Sequence, residues 1–237
     1  MKTRAIFSTF MALILLGCTG PTSPSSQNSI AITSLGGQID PWNYGSHRHI
    51  TLIPPDTQEV AQINSAQIDS AGRFSLQYLV PPPKSVKLFP SYYLLSAFGE
   101  EILENTSACS DSSSMIIDGH LLVGNDSSSS WLGNVMRESR SVNLFGTIGD
   151  FRVNYYYVSK QVNLTGTIKT RDFFGSDSMG LEQISQYDVS FGEGWNQLVQ
   201  TIVSQRVYVD SGKTITSIVY SYTNYEPNPG RWIYSSN

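Results

Sequence analysis

Apolar residues recur at every second position through much of this chain, and that rhythm constrains its fold more than any other feature. Side chains alternate between the two faces of an extended strand, so a period of two marks strands with one face buried. Ile50-Thr51-Leu52-Ile53 runs into Pro54-Pro55, and Phe74-Ser75-Leu76-Gln77-Tyr78-Leu79 runs towards Pro81-Pro82-Pro83. Val153, Tyr155 and Tyr157 alternate with Asn154 and Tyr156, and Ile218, Tyr220 and Tyr222 stand opposite Ser217 and Ser221. Between these runs lie Asp69-Ser70-Ala71-Gly72, Gly192-Glu193-Gly194 and Asp210-Ser211-Gly212-Lys213, whose glycines and acids suit tight turns. Helical periodicity is almost missing; Gly99 to Asn105 and Met136 to Arg140 are each expected to make about a turn of helix. Many short strands with such punctuation predict an all-β chain of one or two antiparallel β-sandwich units.

The sandwich begins only after a different kind of segment. Lys2 and Arg4 precede the apolar run Ala5 to Leu16, the charge-then-hydrophobe order of an export signal. The run is about a dozen residues, against the roughly 20 a spanning helix needs. It ends in Leu15-Leu16-Gly17-Cys18, which resembles the bacterial lipobox. That resemblance implies cleavage before Cys18, diacylglycerol on its thiol and acylation of its amine. Two or more acyl chains hold a protein on a membrane stably. Residues 1–17 are therefore read as a lipoprotein signal peptide. Residues 18–29, polar and uncharged after the cysteine, are read as a disordered tether, because they cannot bury enough surface to offset ordering entropy. Thr19 rather than Asp after the cysteine implies, by Gram-negative sorting habits, the outer membrane.

Removing 17 of the 237 residues leaves 220, enough for one large or two small domains. Lys2 and Arg4 leave with the signal, so 13 basic face 19 acidic side chains, a balance of −6. Such a body is not built to neutralise a phosphate backbone, which excludes nucleic acid as an expected partner. With Cys18 committed to lipid, Cys109 has no cysteine to pair with. It sits in Asn105-Thr106-Ser107-Ala108-Cys109-Ser110-Asp111, read as a loop, with no flanking cation to activate its thiol.

The body divides by pattern into residues 30–104 and 105–237. The first contains Leu35-Gly36-Gly37-Gln38-Ile39 and, later, Asp69-Ser70-Ala71-Gly72-Arg73-Phe74, an opening glycine strand and an Asp-x-x-Gly-x-Phe turn into another strand. Over roughly 45 residues this resembles the transthyretin-like sandwich of carboxypeptidase-regulatory-type domains, which implies a passive β module. The second unit includes the serine-rich stretches that flank Met115 to Val123. It holds an internal echo: Val142-Asn143-Leu144-Phe145-Gly146-Thr147-Ile148 returns as Val162-Asn163-Leu164-Thr165-Gly166-Thr167-Ile168, and the strand between the copies predicts a meander. Phe191-Gly192-Glu193-Gly194-Trp195-Asn196 resembles a strand-turn of uncharacterised bacterial envelope lipoproteins.

Chemistry is sparse. His47 and His49 could share a strand face as metal ligands, but a third ligand would have to come from far away. Asp118-Gly119-His120 could join a serine, yet no Gly-x-Ser-x-Gly elbow occurs, and Gly175-Ser176-Asp177-Ser178 has the wrong order for a lipase block. Neither a phosphate-binding loop nor a dinucleotide glycine pattern is present. Asp69 reads as a turn acid rather than a calcium ligand. Trp42, Trp131, Trp195 and Trp232 are read as core before binding face. The sequence thus assigns no catalytic, metal or cofactor residue; Cys18 is its one chemical site. The expectation is a non-catalytic lipoprotein of the cell envelope, held to membrane through Cys18, with an envelope protein or glycan as partner. The alternative is an exported hydrolase with a non-standard site.

Overall fold

The computed structural model describes residues 31–53, 65–77, 87–88, 101–125, 131–139, 146–174 and 179–236. Cys18, the signal, the tether, Pro81–Pro83, Val142–Phe145 and Gly175–Ser178 lie outside them. The described chain is all-β and sandwich-like. Its strands are β1 (Leu35–Gln38), β2 (Arg48–Ile53), β3 (Ser65–Ile68), β4 (Arg73–Leu76), β5 (Lys87–Leu88), β6 (Glu101–Asn105), β7 (Ala108–Cys109) and β8 (Met115–Asn125). They continue with β9 (Trp131–Glu138), β10 (Phe151–Val158), β11 (Val162–Phe174), β12 (Met179–Phe191), β13 (Gly194–Asp210), β14 (Lys213–Thr223) and β15 (Arg231–Ser236).

β1 and β4 form a small sheet of their own, and the rest join one large sheet in the order β3-β2-β8-β9-β10-β13-β14-β12-β11-β6. β15 adds to β9, β5 to β8 and β7 to β11, and β8 also pairs with β10 directly. Pairing is antiparallel except between β12 and β14, which run parallel. Hydrogen bonds cross residue 104/105: β2 pairs with β8, and β6 pairs with β11.

Two strands explain the packing. β10 and the first half of β13 pack on a core cluster on each face. Val153, Tyr155, Trp195 and Val199 enter a cluster with Leu35, Phe74, Leu76 and Trp232, while Val158 and Leu198 enter a second cluster with Val162, Leu164, Val189 and Phe191. A strand covered on both sides reads as a continuous apolar and aromatic run, which accounts for Tyr155-Tyr156-Tyr157-Val158: Tyr157 packs on the first cluster and Tyr156 on the second. Cys109 lies in that second cluster. The sequence placed it in a loop; instead Ala108–Cys109 is a short strand on β11, with Cys109 opposite Leu164 and buried.

Turns follow the sequence closely. Asp69 accepts hydrogen bonds from the amides of Ala71 and Arg73 at 2.8 and 2.9 Å, Gly72 takes φ +80, and the chain enters β4. Ser211 and Gly212, both at positive φ, close β13 onto β14.

The short helical turns are not found. Glu101–Asn105 pairs with β11, and Met136–Glu138 continues β9 against β15, because neighbouring strands take up the backbone groups a helical turn would have used. The meander fails too. β10 and β11 follow one another in sequence but β13, β14 and β12 separate them in the sheet. Of the first echo copy, Gly146-Thr147-Ile148 lies in a turn: Asp150 accepts from the amide and hydroxyl of Thr147, and Gly146 and Gly149 both take positive φ. The second copy stays in β11, paired with β12 throughout, even though Gly166 also has φ +100, and the Thr106 backbone packs directly against that glycine.

Candidate functional site

The distal ends of β11, β12, β14 and β13 carry the densest polar chemistry among the described residues. The register aligns Arg171 with Glu182, Glu182 with Ser217, and Ser217 with Arg206, one residue from each of four adjacent strands. Period-two spacing puts Lys169, Tyr208 and Asp210 on the same face. Glu182 is fully buried at their centre, with 0% exposure. Its Oε2 accepts from Lys169 Nζ, Arg171 Nη2 and Tyr208 Oη, each at 3.0 Å, and its Oε1 accepts from Ser217 Oγ at 2.9 Å. Arg206 approaches to 4.0 Å, and Arg171 reaches on to Asp210 Oδ2 at 3.1 Å.

Burial alone would raise the pKa of Glu182, but the hydrogen bonds from Lys169, Arg171, Ser217 and Tyr208 outweigh it and hold the carboxyl at about 2. Such a carboxylate is a fixed counter-ion. Ionised at neutral pH and enclosed on all sides, it is suited neither to donating a proton nor to attacking a substrate. Its effect is to gather cations. Lys169, Arg171, Arg206 and Lys213 gather there, and Glu182, Asp210 and the exposed β6 carboxylates Glu104 and Glu101, which stand opposite Lys169 and Arg171, match them in number. Two of these cations lie on aromatic rings: Arg206 sits 5.1 Å from the centroid of Tyr208 and Lys213 4.0 Å from that of Phe173. The side chain of Arg206 is 66% exposed, and with the half-buried Lys213 it forms a small cationic face on the β13–β14 side, away from the carboxylates of β6.

A second polar feature is a shallow cleft lined by Gly37, Gln38, Asp40, Arg137, Arg231 and Trp232. Arg137 pairs with Glu226 at 2.7 Å and lies 5.2 Å over the Trp232 ring, which stacks on Tyr155. Trp232 is only 3% exposed, and Gly37 packs so closely on its indole that a methyl group there would overlap Nε1. The tryptophan therefore supports the cleft floor and offers no open face for a ligand.

The residues singled out by sequence do not assemble. His47 lies before β2 at φ +70, which breaks its alternation with His49, and the His49 ring packs edge-on against Trp131. Among the described residues no group of three metal-ligating side chains converges. His120 is exposed on β8 and, among the described residues, makes no hydrogen bond to a serine. Trp195 and Trp232 are core. Sequence reasoning missed Glu182 entirely. Glu182 and its cations stand far apart in the chain, and only the register β11-β12-β14-β13 brings them together. No family model, curated protein or solved structure matches the chain.

Proposed function

We propose that this protein is a non-catalytic lipoprotein of the cell envelope, anchored to membrane through lipid on Cys18, that binds an anionic envelope component on the cationic face around Glu182. The lipobox resemblance supports the anchor, and Thr19 after the cysteine supports the outer membrane as its place. The 30–104 segment, in this reading, is a transthyretin-like passive module. The single observation that carries the binding role is the placement of two cations: Arg206 and Lys213 stand on aromatic rings at the β13–β14 side of a cluster organised by a carboxylate that is itself unreachable. Cations seated on aromatic rings suit phosphate- or carboxylate-bearing glycans, whose sugar rings pack on apolar faces while their charges pair. Surface charge binding of this kind weakens as salt rises.

The test is co-sedimentation of the protein with an acidic polysaccharide, with a neutral one as control. The wild type is expected to bind the acidic polymer in a salt-dependent manner. The variant Arg206→Gln/Lys213→Gln, which leaves Lys169 and Arg171 on Glu182, should bind about tenfold more weakly. Equal binding of both polymers, or an unaffected variant, would remove the basis of the reading.

A further inference from the structure

β13 is 17 residues long, and its two halves have different surroundings. From Gly194 to Thr201 it pairs with β10 on one edge, and β14 joins the other edge from Val199 onward. Ile202 still exchanges backbone hydrogen bonds with the Gly149–Asp150 turn, and a register shift follows between Ile202 and Ser204. From Ser204 to Asp210, β14 continues to pair one edge, while on the other no strand pairs with β13 among the described residues. Such an edge presents a row of backbone donors and acceptors ready for another strand. Its side chains are unusual for a solvent edge: Val207 is 66% and Val209 72% exposed.

We propose that two copies of this chain associate edge to edge through Ser204–Asp210 of β13, antiparallel, about a two-fold axis at Tyr208. The sequence of the edge selects both the partner and the register. Centred on Tyr208, Arg206 of each copy lies opposite Asp210 of the other, and Val207 lies opposite Val209, each pair occurring twice. Centring on Arg206 would set like charges against each other, and centring on Val207 would place Gln205 against Val209 and Ser204 against Asp210. Cross-strand pairs of opposite charge and of β-branched residues are the favourable ones. Charges that oppose pairing with an unrelated apolar strand become complementary to a second copy, which is how an edge is reserved for one partner. An isologous interface of this kind closes as a dimer and does not propagate. The two cationic faces around Glu182 would then adjoin across the axis. The pairing itself does not depend on what those faces bind.

Sedimentation equilibrium of the full chain in density-matched detergent tests the proposal. The wild type is expected to show a monomer–dimer equilibrium. Val207→Lys/Val209→Lys alters only exposed side chains outside the Glu182 network, and it should weaken dimerisation about tenfold or more. Val207→Lys/Val209→Glu should restore it, since position 207 of each copy faces position 209 of the other and every introduced lysine then meets an introduced glutamate. Circular dichroism of the three proteins should coincide. A wild type that stays monomeric at every concentration, as when residues 140–145 of the same chain cover the edge, overturns the proposal. So does a dimer that survives in the double-lysine variant, or one that the lysine–glutamate variant fails to restore.

Discussion

Glu182 shows how one residue can be expensive and still be kept. A carboxylate loses its hydration on burial, and only matched partners offset the loss. Here two cations and two hydroxyls lie within 3.0 Å of its oxygens. Removing the charge strands Lys169 and Arg171 beside a neutral amide. Glu182→Gln is therefore expected to cost about 3–5 kcal/mol, read from denaturant unfolding at pH 7. The pH dependence has a definite sign. The folded pKa of about 2 lies below the ordinary 4.5, so the carboxylate stabilises the fold above pH 4.5. That contribution fades as pH falls from 4.5 towards 2. The wild type should lose stability through this window, and the glutamine variant should show a shallower slope there. Parallel slopes would mean that Glu182 is not the group titrating.

At the scale of elements, turns and strands behave differently. The turn from β12 to β13 is specified by its own residues: the buried Asn196 amide donates to the carbonyls of Gly192 and Gly194 at 2.8 Å, and its oxygen accepts from the Gly192 amide at 2.9 Å. Asn196→Ala leaves those groups unmatched and should cost about 1–3 kcal/mol, seen as a lowered denaturation midpoint. Two positive-φ glycines, Gly149 and Gly166, provide a second comparison. Gly149 takes φ +92 with nothing near its missing side chain, so Gly149→Ala should cost about 1–2 kcal/mol from backbone strain alone. At Gly166 a methyl would sit 2.3 Å from the Thr106 carbonyl oxygen as well, and Gly166→Ala should cost about 3 kcal/mol or more. Equal losses at the two sites would show that the backbone contact is not limiting. Asp69, Gly72, Ser211 and Gly212 were legible in sequence because a turn is decided within a few residues. Glu101–Asn105 and Met136–Glu138 were misread as helical because a short segment pairs or coils according to what lies beside it.

On the scale of the whole molecule, sheet order was the hidden variable. Consecutive strands β10 and β11 are separated by three others, and β12 and β14 run parallel although only β13 lies between them in sequence. The Glu182 cluster exists because of that order, since it draws its residues from four adjacent strands. The proposed anchor belongs to this scale as well, because lipid on Cys18 would determine where the body works. Cys18→Ala should abolish palmitate labelling in cells and leave the protein uncleaved or soluble. Persistent labelling of the variant would rule out lipid on that cysteine.

What the sequence determined by itself is local: the strand rhythm, the glycine and aspartate turns, and the lipobox-like Leu15-Leu16-Gly17-Cys18, which rests on contiguous residues. What only the tertiary structure decided is which strands adjoin. That choice put Cys109 in the core, separated the two echo copies, left one edge of β13 unpaired among the described residues beyond Ile202, and built a cationic face around a carboxylate. The physical reason is that strand pairing is non-local. A strand satisfies half of its backbone groups on each edge with partners that no short window of sequence can name.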